Sequence, residues 1–276
     1  MKLSNILLHV DGSPSAAPRI TLAADLARRS DAHLTALYVY PRLDFPAVYG
    51  AELPPEYLDA AEAENERVAV EVREKFEQTT TSPDLRTEWK VERGDAADRL
   101  ITHGRYADLL IVGQPNPDEA SPFVGIPDEV LMAVGRPVLV VPYIGTHEQT
   151  GKRVAIAWNA SREAARAVND ALPLLETADE VHVLVLDVDS SNVEDAALPG
   201  ADICLHLARH GVDAEAHHVQ ASEIDVANLL LSQVADLDAD LLVMGAYGHS
   251  RLREIMLGGA TRDVLTQMTV PLLMSH

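Results

Sequence analysis

A glycine-punctuated stretch near the end of the chain has the residue types and spacing of a phosphate-binding site. A short apolar run, Leu241–Met244, ends at Gly245; Gly248 follows, and after nine further residues Gly258 and Gly259 precede a helical pattern. Glycine lets the backbone approach an anion closely, and a helix N-terminus offers unpaired N–H groups at the positive end of its dipole. The stretch therefore predicts a strand, a loop and a helix start that together hold a phosphate group.

The spacing Gly-x2-Gly-x9-Gly, followed by a small residue, resembles the ATP-binding motif of the universal stress protein family. The family pattern has Ser or Thr directly after the third glycine. This chain has Gly259 there, so one hydroxyl donor is lost while the backbone amide remains. Ala260 follows, and Thr261 adds a hydroxyl in the first turn of the predicted helix. The resemblance implies that an adenine nucleotide is the ligand.

Composition limits the classes of protein to which the chain can belong. It has 276 residues, 47 % of them apolar, and a formal net charge of −21. This charge argues against nucleic acid and anionic membrane as partners, because their phosphates would be repelled, and no apolar run approaches the length of a membrane span. The N-terminus lacks a signal-peptide pattern, and the single cysteine, Cys204, fits a reducing compartment. We therefore expect a cytoplasmic protein of one large or two ordinary domains.

The chain repeats itself at about half its length. Three segments of the first half, 6–13, 107–113 and 136–141, recur in the second half as 154–161, 239–245 and 270–275. A repeat unit of this size indicates a duplicated domain, since solenoid repeats are much shorter. The polar, turn-prone stretch 143–152 separates the copies. We predict one domain at 1–146 and a second at 150–276.

Strand-like and helix-like segments alternate within each half. Strands are predicted near 4–10, 33–40, 85–91, 108–113, 137–142, 152–158, 180–187, 213–219, 240–245 and 271–275. Helices are predicted near 55–78, 161–176, 199–210, 222–236 and 259–268, the helix at 161–176 being capped by Ser161. Such alternation implies parallel sheets covered by helices on both faces. The predicted fold class is α/β, with two tandem, doubly wound, five-stranded parallel sheets. Universal stress proteins have this Rossmann-like, adenine-nucleotide alpha hydrolase-like fold, so the resemblance covers both halves.

The resemblance also implies a set of nucleotide-binding residues in the second half, across the carboxyl ends of its first and fourth strands. The set is Ala157, Trp158, Asn159, Leu186, Met244, Gly245, Gly248, His249, Arg251, Gly258, Gly259, Ala260 and Thr261. A backbone contact to adenine is expected near Leu186, and Trp158 fits packing better than the wall of an adenine pocket. The family usually has an acidic residue where this half has Asn159. Asparagine can bond a ribose or a metal-bound water, but it adds no charge to hold Mg²⁺.

The first half keeps Asp11-Gly12-Ser13 but lacks the phosphate cradle. Asn116 replaces the second glycine, and Pro127, which has no amide donor, takes the place of Thr261. Four carboxylates lie near this loop, those of Asp118, Glu119, Asp128 and Glu129. They would repel a triphosphate by about 1 kcal/mol for each close pair. We predict that this half binds no ATP and serves as a structural partner.

Four histidines of the second half suggest zinc binding as an alternative function. His206 and His210 share a face of a predicted helix, whereas His217 and His218 point to opposite faces of a strand, so at most three ligands converge. Solvated or capping histidines explain the pattern more simply, and no metal ligand is assigned. Nothing assembles a nucleophilic triad, and Cys204 fits a helix core, so no catalytic residue is assigned.

The sequence thus predicts an ATP-binding stress-response protein that acts through a nucleotide-dependent change of conformation or of protein partner. No general base is placed for attack on the γ-phosphate, so any hydrolysis should be slow. The alternative is a nucleotide-free, dimerising scaffold of the same family, in which Gly259 and Asn159 mark a decayed site. The fifth strands of family members commonly pair, so we expect either an intramolecular pseudo-dimer or a further association into a homodimer.

Overall fold

The computed structural model describes residues 2–40, 55–118, 125–147, 149–187, 200–220, 226–246 and 259–276. The first half contains β1 (Asn5–Val10), α1 (Ala16–Ser30), β2 (His33–Tyr40), α2 (Pro55–Thr79), β3 (Arg86–Arg93), α3 (Ala96–Gly104), β4 (Leu109–Gly113), α4 (Ile126–Ala133) and β5 (Val138–Val141). The second half contains β6 (Arg153–Trp158), α5 (Arg162–Leu175), β7 (Glu180–Asp187), α6 (Ala201–Arg209), β8 (Glu215–Gln220), α7 (Val226–Asp236), β9 (Leu241–Gly245), α8 (Gly259–Gln267) and β10 (Leu272–Ser275). Each predicted strand is present within two residues of its expected bounds.

The ten strands form one continuous sheet in the order β3-β2-β1-β4-β5-β10-β9-β6-β7-β8. Neighbouring strands are parallel within each half, whereas β5 and β10 pair antiparallel, with Leu139 opposite Leu273. The two predicted five-stranded sheets are therefore the halves of a single sheet. Strand order reverses between β1 and β4 and again between β6 and β9, and ligands of such folds bind beyond the carboxyl ends of strands at these points.

Helices cover both faces of the sheet because each face buries its own apolar cluster. On one face, here called the α1 face, α1, α2, α5 and α6 contribute buried side chains such as Phe76 and Leu207. On the opposite face, the α3 face, α3, α4, α7 and α8 contribute residues such as Leu100 and Val264. Successive side chains of a strand alternate between the two faces, which explains why the central strands are mostly apolar on both faces.

An aspartate just before the fourth strand fixes the start of the first strand in each half. Asp108 accepts hydrogen bonds from the backbone N–H groups of residues 4 and 5 at 2.8 and 2.9 Å. Asp240 accepts bonds from those of residues 151–153 at 2.7, 3.0 and 3.1 Å. This shared contact gives a structural role to the aspartate of the Ala-Asp-Leu-Leu segment, which occurs in both halves.

The long helix α2 lies over the first half with its charged side exposed. Arg67 forms ion pairs with Glu64 and Glu71 one turn away on either side, the spacing that supports a solvated helix. Among the helices of the described ranges, none combines the length and the apolar character needed to cross a membrane.

Candidate functional site

In the first half, a buried ion pair covers the carboxyl ends of β1 and β4. Asp11 follows β1, and its Oδ2 lies 2.6 Å from a guanidinium nitrogen of Arg19 on α1. The two side chains are only 7 % and 2 % exposed. The guanidinium lies directly over Gly113 at the end of β4, where an added methyl group would come within 1.7 Å of it. The protein's own cation thus covers the end of β4, next to the point where strand order reverses.

The surroundings of Asp11 favour its ionised form despite burial. Burial alone would raise the pKa of this carboxyl group, but Arg19, His9 and the bonds from Ser13 hold the pKa well below its usual range. Burial lowers the pKa of His9 to about 4; Asp11 opposes this shift and Arg19 adds to it. His9 is therefore neutral at pH 7, and Asp11 and Arg19 balance each other's charge.

The second half repeats the backbone arrangement without the ion pair. Asn159 follows β6 as Asp11 follows β1, and its Oδ1 accepts a bond from the N–H of Ser161 at 3.2 Å. Ala167 occupies the position on α5 that corresponds to Arg19, and it is fully buried. Because alanine replaces the arginine, α5 places no cation over the end of β9 from this position.

Helix α5 itself approaches the end of β9 closely. Ser161 caps this helix by accepting a bond from the N–H of Ala164 at 3.1 Å, which confirms the predicted cap. A methyl group at Gly245 would come within 2.5 Å of backbone atoms of Glu163 and Ala164. Gly245 is therefore needed for packing, whatever ligand lies beyond it. The Glu163 side chain is buried beside this contact and pairs with Arg162.

The described part of the predicted phosphate cradle is the start of α8. The helix begins at Gly259, where an added Cβ would meet no atom of the described residues within 4 Å. Ala260 follows in the same turn, and Thr261 is buried with 7 % exposure. The other predicted loop residues, Gly248, His249, Arg251 and Gly258, lie outside the described residues.

The strand residues of the predicted site occupy the last positions of β6, β7 and β9. Ala157 is buried and Trp158 packs half-buried against the α1-face cluster, which agrees with a packing role for the tryptophan. Met244 is half-buried at the end of β9. Leu186 pairs with Val219 of β8 through the parallel ladder, while its side chain lies outside the described part of the structure.

In the first half, the start of α4 differs from the start of α8. Gly125 precedes α4, and Pro127 lies buried in the first turn. Asp118 and Glu129 are exposed and Asp128 is half-buried, whereas Glu119 lies outside the described residues. The proline removes an N–H group from the turn that α8 keeps complete.

Gln114, which follows Gly113, links the two halves in a way that the sequence analysis missed. Its amide nitrogen donates to the carbonyl oxygens of Leu265 and Thr266 at 2.8 and 3.0 Å, and its amide oxygen accepts from the N–H of Tyr143 at 3.2 Å. The last carbonyl groups of α8 thereby gain donors that the helix cannot supply. The sequence signal was a polar residue where the second half has alanine.

Comparison with known proteins settles the family. The model of the universal stress protein family matches residues 2–142 and, a second time, residues 147–276. The chain belongs to the universal stress protein family. A curated relative, universal stress protein Slr1230 of Synechocystis sp., is 26 % identical over 148 residues, which are 53 % of this chain and 49 % of that protein. The match thus spans about half the length of the relative.

Solved structures show that the fold of this universal stress protein is shared. A universal stress protein of Archaeoglobus fulgidus aligns with 99 % of this chain and 96 % of its own, with a TM-score of 0.71 and 18 % identity. This similarity supports the fold alone. A universal stress protein solved in complex with cAMP aligns with 52 % of this chain and all of its own, at 18 % identity and a TM-score of 0.36. Nucleotide binding is a finding about that protein.

The four histidines considered for zinc do not all lie on one side of the sheet. His206 and His210 lie on α6 with ring centroids 4.8 Å apart, and α6 packs on the α1 face. His217 points to the α3 face, because it lies two residues from Val219 of that face's cluster. The sheet therefore separates His217 from the helix pair, so these three histidines cannot share one metal ion. His217 instead meets His182 of β7, with nitrogen atoms 3.0 Å apart.

Cys204 lies on the same helix as His206. It is partly buried against the α1-face cluster, in line with its predicted core position. Burial, with a smaller contribution from Asp213, raises the pKa of its thiol. The thiolate form is therefore disfavoured, and a nucleophilic role for Cys204 gains no support.

Proposed function

We propose that this universal stress protein binds one ATP per chain, at the carboxyl ends of β6 and β9 and the start of α8. The observation that supports the proposal is the difference between the halves. Arg19 fills the place over Gly113 in the first half, whereas Ala167 puts no cation at the corresponding position of the second. No atom of the described residues lies within 4 Å of a Cβ added at Gly259, which is compatible with a phosphate group beside the helix N-terminus.

The charges at the ends of the first strands also favour the second half as the nucleotide site. Asp11 at the end of β1 is buried and already paired with Arg19, so a nucleotide would have to displace this ion pair to reach the end of the strand. Asn159 is exposed and uncharged at the matching position. In this proposal Gly248, Gly258 and Gly259 contact the phosphates through backbone amides, and His249 and Arg251 add donors. Asn159 bonds the ribose, so binding should need little help from Mg²⁺.

The proposed site positions a nucleotide without activating water. Among the described residues near the end of β9, Glu163 is a buried carboxylate that could act as a general base. Burial would raise the pKa of Glu163, but the bond and charge of Arg162 outweigh it and lower the pKa. A strongly paired carboxylate is a poor proton acceptor, so hydrolysis of bound ATP should be slow.

Helix α8 offers a route by which a bound nucleotide would affect the first half. Its N-terminus carries the proposed phosphate contacts, and its C-terminus is held by Gln114 of the first half. A nucleotide that fixes the start of α8 would therefore also bias the contact at its end. This is the conformational change that we propose as the output of binding, read by a protein partner.

The test is isothermal titration of ATP, with and without Mg²⁺, into nucleotide-free wild-type protein and two matched variants. Gly259→Asp puts a carboxylate at the start of α8, where it would repel phosphate. Gly125→Asp makes the corresponding change at the start of α4, where the nearest side chain among the described residues is the flexible end of Glu129. Aspartate is a favourable residue at helix starts, so both variants should stay folded.

We expect micromolar binding at one site per chain in the wild type and in Gly125→Asp, and loss of binding in Gly259→Asp. Similar affinities with and without Mg²⁺ would agree with the role given to Asn159. Folded, nucleotide-free wild-type protein that gives no heat with ATP would reject the proposal.

A nucleotide-free scaffold is the second candidate function. One observation favours it: the packing of α5 against Gly245 explains that glycine without any ligand. Under this alternative the glycine spacing would be a remnant, and the continuous ten-stranded sheet would itself be the functional platform. Titration with ADP, AMP and cAMP as well as ATP separates the two candidates, since a scaffold would bind none of them.

A further inference from the structure

A second cluster of chemically active side chains lies far from the proposed nucleotide site, on the two outermost strands of the second half. In the parallel ladder of β7 and β8, His182 is paired with Glu215 and Leu184 with His217. His182 Nδ1 lies 3.0 Å from His217 Nε2, and a carboxylate oxygen of Glu215 lies 3.9 Å from the same His217 nitrogen. One ligand atom from each of the three residues fits within a 4.8 Å span.

We propose that His182, Glu215 and His217 form a binding site for a divalent d-block cation, with Zn²⁺ as the reference ion. Two imidazoles and one carboxylate are a ligand set that such ions prefer, whereas Mg²⁺ and Ca²⁺ favour oxygen ligands. Tetrahedral zinc with bonds of about 2.0–2.1 Å holds its ligand atoms roughly 3.3 Å apart. The two nitrogens are already close to that separation, and the exposed Glu215 side chain is free to turn inward.

The outer nitrogen of His182 also has the partner that a metal-bound imidazole usually has. His182 Nε2 lies 3.5 Å from a carboxylate oxygen of Glu180, and the His182 side chain is only 13 % exposed. A carboxylate behind a histidine orients the ring and strengthens its other nitrogen as a ligand. Three protein ligands leave a fourth position for water or for a residue of a partner.

The first half contains the same ladder with different chemistry. Thr35 is paired with Glu88 and Leu37 with Lys90, so Thr35, Glu88 and Lys90 correspond to His182, Glu215 and His217. The Lys90 ammonium group lies 3.3 Å from a Glu88 carboxylate oxygen. Lysine thus brings its own positive charge to the shared carboxylate in the first half, and a protonated amine cannot ligate a metal. In the second half, where histidine replaces lysine, a bound cation would supply that charge.

The site would tie together the edge of the sheet. β8 is an edge strand of the sheet, and in the described ladder it pairs only with β7. A metal held by both strands cross-links them, so it should slow the opening of β8 without reaching the ATP site at the other end of the strands. The proposal is independent of nucleotide binding.

The test is titration of Zn²⁺ into the full chain, with Mg²⁺ as a parallel titrant. His217→Lys copies Lys90 of the first half, and it should fold because the first half folds with that residue. His206→Gln is the control on the opposite face of the sheet. We expect one zinc per chain in the wild type and in His206→Gln, no response to Mg²⁺, and a loss of affinity of at least about tenfold in His217→Lys.

A second experiment asks whether a zinc site can be introduced into the first half. Thr35→His with Lys90→His copies the ligand set into the first half, and we expect the stoichiometry to rise from one zinc to two. Folded protein that binds no zinc, or binds it equally well with His217→Lys, would overturn the proposal. Loss of zinc in His206→Gln would overturn it too, because the site would then lie on α6.

Discussion

Asp11 and Arg19 are each buried, and each is tolerable only because the other is present. Moving a single charge into a protein interior costs several kcal/mol unless a partner and hydrogen bonds replace water. Here the bonds from Ser13 complete the shell of Asp11. The second half avoids this desolvation cost, because Asn159 stands at the position of Asp11 and Ala167 at that of Arg19. The pair is therefore a coupled unit, in which each buried charge is compensated by the other.

Replacing one residue of this pair should destabilise the protein more than replacing both residues together. Arg19→Ala leaves a buried, uncompensated carboxylate and should lower the free energy of unfolding by about 3–5 kcal/mol. The double variant Asp11→Asn with Arg19→Ala copies the second half and should recover a large part of that loss. Urea unfolding at pH 7 measures both. A double variant no more stable than Arg19→Ala would contradict the coupling.

His9 should make the stability of the protein depend on pH between about 6.5 and 4. Its pKa is about 4 when folded, so over this range the unfolded chain binds a proton that the folded chain does not. Stability therefore falls as pH falls through the range, by about 3 kcal/mol in total. Urea unfolding of wild type and His9→Gln at pH 7, 5.5 and 4.2 isolates the effect as a difference. Parallel pH dependences would contradict the assignment.

At the scale of elements, β4 and β9, the fourth strands of the two halves, are followed by residues with different contacts. The end of β4 continues into Gln114, which binds the last turn of α8, while the end of β9 continues into Ala246, a small buried residue. One half therefore holds the terminal helix of the other, and the holding residue follows directly after the place that Arg19 covers. This couples the structural site of the first half to the helix that we propose binds phosphate.

Replacing Gln114 should loosen the end of α8 first. Gln114→Ala removes donors from two carbonyl groups and an acceptor from Tyr143, and should cost about 1–3 kcal/mol. Gln114→Glu keeps the shape but loses the amide donors, so it should cost at least as much. Amide hydrogen exchange checks the prediction, with α4 as the internal reference. Unchanged exchange in α8 would show that the bonds from Gln114 contribute little.

The sequence predicted the strands well because most of them are short apolar runs between turn signals, which local pattern reveals, whereas it gave no bounds for α1, α3 and α4. It did not predict Arg19 over Gly113, because arginine is normally exposed and its burial depends on a partner eight residues away. His182 was missed for a related reason: it lies in an apolar strand, and its partners come from the next strand. The glycine spacing was recognised, but the role of Gly245 in packing α5 requires the three-dimensional contact.

At the scale of the whole molecule, the sequence left open whether the fifth strands of the two halves pair within one chain. In the structure these strands, β5 and β10, pair antiparallel. Pairing of strands so distant in the chain depends on the relative placement of the halves. All described positions of both strands are buried, and the contact joins two parallel five-stranded units into one sheet. This arrangement fits an intramolecular pseudo-dimer, in which each half covers the edge strand of the other.

A designed disulfide distinguishes pairing within one chain from pairing between two chains. Leu139 and Leu273 are directly opposed, and opposed residues of antiparallel strands have Cα atoms about 4.5–5.5 Å apart, within disulfide range. In a Cys204→Ser background, Leu139→Cys with Leu273→Cys should oxidise to a species of monomer mass on a non-reducing denaturing gel. The intramolecular bond would close a long loop and should raise the midpoint of thermal unfolding. A covalent dimer would instead mean that β5 of one chain pairs with β10 of another, so that the continuous sheet is built by exchange between two chains.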